Sequence, residues 1–196
     1  MGLPTTFVRL STCKMRCAWC DTSYSFTPGK NYNLDEIMEK IRDRHTKFVC
    51  ITGGEPLLQK NVYLLIKILC DENFTVSLET GGGISTKSVD PRAHIILDVK
   101  CPGSGMSHHN LWENLDLLRP QDEIKFVLKD RKDYEWAKNI YKKNKKLSKA
   151  GAILFSPVHE ELPPNHLAEW ILEDKLPVRL NLQLHKYIWP NENKGV

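Results

Sequence analysis

Apolar and polar positions along the 196-residue chain switch repeatedly between a period of two and a period near 3.6. Residues 6–10 and 47–52 read as strands, the second one buried, and further strands are predicted over 74–80, 94–100, 123–128, 151–156 and 178–184. Between them, Leu34, Ile37, Met38 and Ile41 share one helical face, as do Leu58, Val62, Leu65, Ile66 and Leu69. Asn33 is placed as an N-cap with Glu36 three residues on, the spacing of a capping box. Helices are also predicted over 111–118, 134–145 and 165–173. Repeated strand–helix–strand units imply an α/β fold with mostly parallel strands, because parallel neighbours need a crossover connection. Such sheets bind ligands beyond the C-terminal ends of their strands. Four loops stand at such ends: the cysteine loop, Gly53-Gly54-Glu55-Pro56, Gly81-Gly82-Gly83 and Cys101-Pro102-Gly103. They are expected to meet on one rim.

With 41% hydrophobic residues and no internal repeat or linker, residues 1–196 are expected to form a single domain with a real core. No stretch is long and apolar enough to span a bilayer, and no signal peptide is legible at the N-terminus, so a cytoplasmic chain is expected. The formal net charge of +4 favours a small anionic ligand but is too weak to argue for nucleic acid. The basic stretch 142–149 reads as the solvated end of a helix.

Six cysteines in a reducing compartment point to metal ligation rather than disulfides. Cys13, Cys17 and Cys20 are spaced by three and then two intervening residues, which supplies three thiolates and no fourth. Structural zinc sites and ferredoxin clusters both use four protein ligands. Three thiolates leave one metal position open for something other than protein. Cys50 and Cys70 read as core residues, and Cys101 as structural at a strand end.

A Cys-x3-Cys-x2-Cys loop followed by Gly-Gly-Glu-Pro at the end of the next strand resembles the radical S-adenosylmethionine (SAM) superfamily. That resemblance implies a partial (β/α) barrel and a [4Fe–4S] cluster on Cys13, Cys17 and Cys20. The open iron binds SAM, and SAM is cleaved reductively to a deoxyadenosyl radical. Gly53 and Gly54 would let the backbone approach the SAM methionine where a Cβ would collide.

Within the superfamily the chain is similar to the 7-carboxy-7-deazaguanine synthase family. The likeness runs from Gly2-Leu-Pro and Phe7–Leu10 through Trp19-Cys20-Asp21-Thr22, Glu79-Thr80-Gly81 and Asp98-Val99-Lys100 to Leu184-His185-Lys186-Tyr187-Ile188-Trp189. It implies a magnesium-dependent lyase that contracts 6-carboxy-5,6,7,8-tetrahydropterin to 7-carboxy-7-deazaguanine with loss of ammonia, on the route to queuosine and tRNA modification. It also implies a homodimer and a reducing partner of the flavodoxin or ferredoxin type. Carried over by motif, Thr22 places its hydroxyl on Mg²⁺, an ion that prefers oxygen and needs few protein ligands. Arg9 and Thr52 reach the pterin, and Glu79 reaches the pterin or the SAM ribose. Trp19, Cys20, Asp21, Gly53, Gly54 and Glu55 lie against SAM, with Asp98, Val99 and Lys100 touching it from the fourth strand. Asp98 stands where many relatives carry serine. His185 has two readings, as a site residue or a packing residue.

Family members carry a further N-terminal segment with a Gln-Gly-Glu-Gly motif that binds the pterin. The sequence begins just before Gly2, so the pterin contacts expected from that motif are missing as written. The competing reading is an activase for a glycyl-radical enzyme or an anaerobic ribonucleotide reductase, which shares the cysteine spacing and Gly-Gly-Glu-Pro. A non-enzymatic iron–sulfur or zinc protein is the third.

Overall fold

The computed structural model describes residues 2–190. Its seven strands lie in one sheet in chain order, and every neighbouring pair is parallel. The elements are β1 (Thr5–Leu10), α1 (Leu34–Arg42), β2 (Phe48–Gly53), α2 (Asn61–Asp71), β3 (Thr75–Thr80), β4 (His94–Asp98), β5 (Glu123–Leu128), α3 (Arg131–Lys143), β6 (Ala152–Pro157), α4 (Pro164–Glu173), β7 (Arg179–Leu180) and α5 (Leu184–Ile188). This is the expected α/β architecture, an open sheet of the partial-barrel kind.

Local chemistry starts the helices where the sequence places them. The Asn33 side chain accepts from the Glu36 N–H at 2.9 Å, and the Glu36 carboxylate accepts from the Asn33 N–H at 2.8 Å, closing the capping box on α1. Asp130 caps α3 by accepting from the N–H groups of Lys132 and Asp133.

Alternation along the strands divides the sheet into two chemically different faces. Ile51, Leu78, Leu97, Ile124, Phe126 and Phe155 are buried in one core cluster with Leu65, Ile66 and Leu69 of α2, Tyr134 and Ala137 of α3 and Leu167 of α4. Each fully buried Leu, Ile or Phe contributes about 1.5–3 kcal/mol relative to exposure. Between them, facing the other way, stand Arg9, Thr52, Ser77, Glu79, Asp98, Lys125 and Ser156, with Phe7, Ile96, Val127 and Leu154 as apolar members of the same face. Cys50 of β2 shares that face and lies within electrostatic reach of Arg9, Glu79 and Lys125. That face of the sheet therefore gathers the charged and hydroxyl side chains of the strands among a few apolar ones.

Two segments depart from expectation. Residues 111–118 form a 3-10 segment (Trp112–Leu117) rather than an α-helix. Buried Asn114 plugs the β3–β4 loop there, donating to the carbonyls of Gly82 and Ile84 and accepting from the Thr86 N–H. Those bonds fix the segment in a tighter turn. The last strand, expected over 178–184, pairs only through Arg179–Leu180, and Leu184 to Ile188 turn into α5. Among the described residues no helix is long and apolar enough to cross a membrane.

Candidate active site at the C-terminal ends of the strands

The four loops singled out in the sequence do meet. Beyond β1, Thr12 adopts a left-handed backbone (φ 80°), a conformation that costs a non-glycine residue of order 1 kcal/mol. It is held there by its own N–H bonded to the Ser25 carbonyl and its carbonyl accepting from the Glu55 N–H. The turn launches the cysteine loop directly over the end of β2. Gly53 (φ 141°) and Gly54 make this approach possible: a Cβ on Gly53 would stand 2.0 Å from the Leu10 carbonyl oxygen, and one on Gly54 2.3 Å from that of Thr12.

Glu55 then ties two loops together. Its carboxylate is 4% exposed and accepts from the N–H of Leu57, the hydroxyl of Thr80 and the N–H of Gly81. Burial raises its pKa in spite of those donors. Met15 packs over the adjoining glycines, with its Sδ 3.2 Å from the place a Gly81 Cβ would take. The loop after β4 completes the rim. The Ala18 N–H donates to the Ser104 carbonyl at 3.1 Å, and buried Asp133 accepts from the Gly103 N–H at 2.8 Å, anchoring that loop to the start of α3.

On this rim Cys13, Cys17 and Cys20 are free thiols, each partly buried. Burial pushes Cys13 and Cys17 up, and the ammonium of Lys100 opposes the rise at both. Among the described residues no three His, Cys, Asp or Glu side chains converge as a single metal ion would require. A cube of iron and sulfide holds its thiolates farther apart, so three soft ligands on one glycine-cradled loop fit that larger group and leave one corner open.

The other residues fall into two groups. Arg9 and Thr52 are register partners on β1 and β2, and the Thr52 hydroxyl donates to Glu79 Oε2 at 3.3 Å, giving a polar row over three strands below the cysteine loop. Thr22 sits with its hydroxyl 3.7 Å from Cys20 Sγ and makes no capping bond of its own. Asp21 accepts from Gln183 Nε2 at 2.7 Å. Asp98 and Lys100 form an ion pair at 2.9 Å. Trp19 is half-buried on the same loop. Glu55 and Val99 stand apart: the Glu55 carboxylate is engaged by three protein donors and the Val99 side chain lies in the core, so Val99 can meet a ligand only through its backbone.

His185 lies on α5, half-buried, where burial lowers its pKa and Lys186, Asp21, Arg9 and His159 surround it. Cys70 and Cys101 belong to the core, whereas Cys50, pushed up to about 12 by burial, lies buried on the polar face. Sequence reasoning missed Gln183, Ser77, Lys125 and Ser156. The last three were signalled by their alternation with core residues.

Residues 8–171 match the radical SAM superfamily. The 7-carboxy-7-deazaguanine synthase of Chlorobaculum tepidum is 44% identical over 198 residues, spanning 100% of this chain and 90% of the relative. That of Koribacter versatilis is 42% identical, spanning 100% and 92%. In three dimensions, QueE from Escherichia coli superposes with a TM-score of 0.74 at 21% identity, covering 93% of this chain and 86% of that one, which speaks for the fold. The SAM-bound SuiB of Streptococcus suis shares the fold more distantly, with a TM-score of 0.61 at 13% identity, covering 97% and 53%. The cysteine loop, its glycine cradle and these likenesses agree: the chain belongs to the radical SAM superfamily and, within it, to the 7-carboxy-7-deazaguanine synthase family.

Proposed function

We propose that the chain contracts 6-carboxy-5,6,7,8-tetrahydropterin to 7-carboxy-7-deazaguanine with loss of ammonia, in a magnesium-dependent reaction. Family membership makes it a SAM- and [4Fe–4S]-dependent lyase; the substrate, the magnesium and the residue roles are our reading. The observation that carries it is the polar row Arg9–Thr52–Glu79 beneath a rim bearing three thiols. When bound, the cluster and SAM supply a one-electron cleavage that yields a carbon-centred radical.

Cys13, Cys17 and Cys20 hold the cluster. Gly53 and Gly54 admit the SAM methionine to the backbone. Trp19, Cys20, Asp21 and the Asp98–Lys100 strand end enclose the rest of SAM. Arg9 offers a planar fork to an anionic or carbonyl edge of the pterin, and Thr52 and Glu79 offer a donor and an acceptor beside it. Thr22 would offer Mg²⁺ a neutral hydroxyl oxygen, the hard kind of donor that ion prefers. Glu55 serves by holding the rim together. The electron comes from a flavodoxin- or ferredoxin-type donor, and the enzyme works as a cytoplasmic homodimer supplying 7-deazapurine (queuosine) synthesis.

The test is anaerobic reconstitution followed by incubation with the carboxytetrahydropterin, SAM and Mg²⁺, with products read by mass spectrometry. Alanine at Cys13, Cys17 or Cys20 abolishes SAM cleavage, while serine at Cys70 leaves iron content intact. SAM cleavage without any deazaguanine product would overturn the substrate.

A further inference from the structure

Lys100 is a lysine fixed at both ends. Its ammonium lies 2.9 Å from Asp98 Oδ2, with the two side chains 16% and 20% exposed. Its backbone is gripped by a single side chain: Asn110 Oδ1 accepts from the Lys100 N–H at 2.8 Å, and Asn110 Nδ2 donates to the Lys100 carbonyl at 2.9 Å. Asn110 thus occupies the place of a missing strand neighbour just beyond the end of β4. Four residues on, the Ser104 carbonyl takes the N–H of Ala18, so the segment that carries Lys100 is stitched to the Cys17–Ala18 backbone.

The ammonium is in electrostatic reach of Cys17, Cys13 and Glu55. Burial alone would favour the neutral amine, but the ion pair with the Asp98 carboxylate favours the charged form. At Cys17 the influence of Lys100 exceeds the opposing influence of Asp98. The other Asp98 oxygen, Oδ1, is buried and has no hydrogen-bond partner among the described residues, so the carboxylate keeps an unsatisfied acceptor.

We propose that Lys100 sets the reduction potential of the iron–sulfur cluster, through a permanent positive charge locked beside Cys17 by Asp98 and by Asn110 as a positioning residue. The inference rests on the reading above that Cys13, Cys17 and Cys20 hold the cluster. Taking the electron from the flavodoxin- or ferredoxin-type donor adds one negative charge to the cluster and no proton to the protein. A fixed cation in a poorly hydrated site stabilises that added charge strongly, and net charge around a cluster is a main determinant of its potential. Lys100 therefore makes the cluster easier to reduce, and Asp98 opposes it.

The test is a potentiometric titration of the reconstituted protein, monitored by electron paramagnetic resonance before SAM is added. Lys100→Met makes reduction at least tenfold less favourable, a downward shift of about 59 mV for one electron. Asp98→Asn shifts the potential upward, and Lys100→Arg stays near the parent. Opposite signs from two neighbouring substitutions are not what loosened packing produces. If Lys100→Met fails to fold because Asp98 is left buried and unpaired, the Lys100→Met/Asp98→Asn double variant replaces it and lies below the parent. An unchanged potential in a Lys100→Met protein with full iron, shifts of the same sign in both single variants, or a double variant at or above the parent overturns the proposal. A parent protein that takes up no cluster overturns instead the assignment of the three cysteines.

Discussion

The amide of Gln183 donates to Asp21 across 2.7 Å of space and 162 residues of sequence. It ties the segment that carries α5 to the loop that carries Cys20 and Thr22. One exposed hydrogen bond to a charged acceptor contributes about 1 kcal/mol, roughly fivefold in an equilibrium. In Gln183→Ala the iron content should stay whole while exchange of the Lys186 and Trp189 amides quickens about fivefold. Unchanged exchange would mean the bond carries no weight.

Thr22 follows Cys20 by two residues, with its hydroxyl 3.7 Å from Cys20 Sγ and no side-chain capping bond. Thr22→Ala should keep its iron and cleave SAM slowly without coupling it to product. Its turnover should no longer respond to added Mg²⁺. A normal magnesium titration in this variant would refute the assigned ligand.

Gly54 should be intolerant of even one methyl group. The added Cβ would meet the Thr12 carbonyl at 2.3 Å and Cys13 Cβ at 2.9 Å, and none of these atoms can swing away cheaply. Gly54→Ala is expected to lose about 2 kcal/mol or more of stability and to take up little iron. Gly29→Ala, whose Cβ meets only Ser11 at 3.4 Å, is the control and should change stability by no more than about 0.5 kcal/mol. Denaturant unfolding compares the two; equal losses would remove the steric explanation.

The pH dependence of stability has an identifiable contributor far from the site. The hydrogen bond from Arg92 holds Asp90 down from 3.8 to about 2. A lowered carboxylate stabilises the fold above its unfolded value, and that contribution disappears as pH falls through the folded one. Asp90→Asn should therefore be less stable than the parent at pH 7, and the gap should close between pH 3.8 and about 2. A gap that persists at the acid end would assign it to packing.

Much of this was readable before any coordinates. The strands declared themselves because a parallel sheet covered by helices needs Ile51, Leu78, Leu97 and Ile124 at fixed alternation. The capping box at Asn33 is a purely local interaction, so local sequence sufficed. The rim residues were legible because the chemistry demands cysteines and glycines at short spacing. What escaped depends on distant partners. Asn114 bends residues 112–117 away from an α-helix through the β3–β4 loop, and Gln183 finds Asp21 from 162 residues away. The engagement of Glu55 was equally hidden, since a carboxylate in a motif does not announce that Thr80 and Gly81 will consume it.

The strand order β1 to β7 follows the sequence without a single exchange. Each strand can therefore dock on the one made just before it, and none has to be inserted between two already paired neighbours. Chains emerge from the ribosome N-terminus first, so the three thiols leave it before any later strand is made, and the segment that ties down Asp21 follows all seven strands. The sheet can thus grow strand by strand before its rim is completed, because the bond from Gln183 to Asp21 waits until β7 has been made.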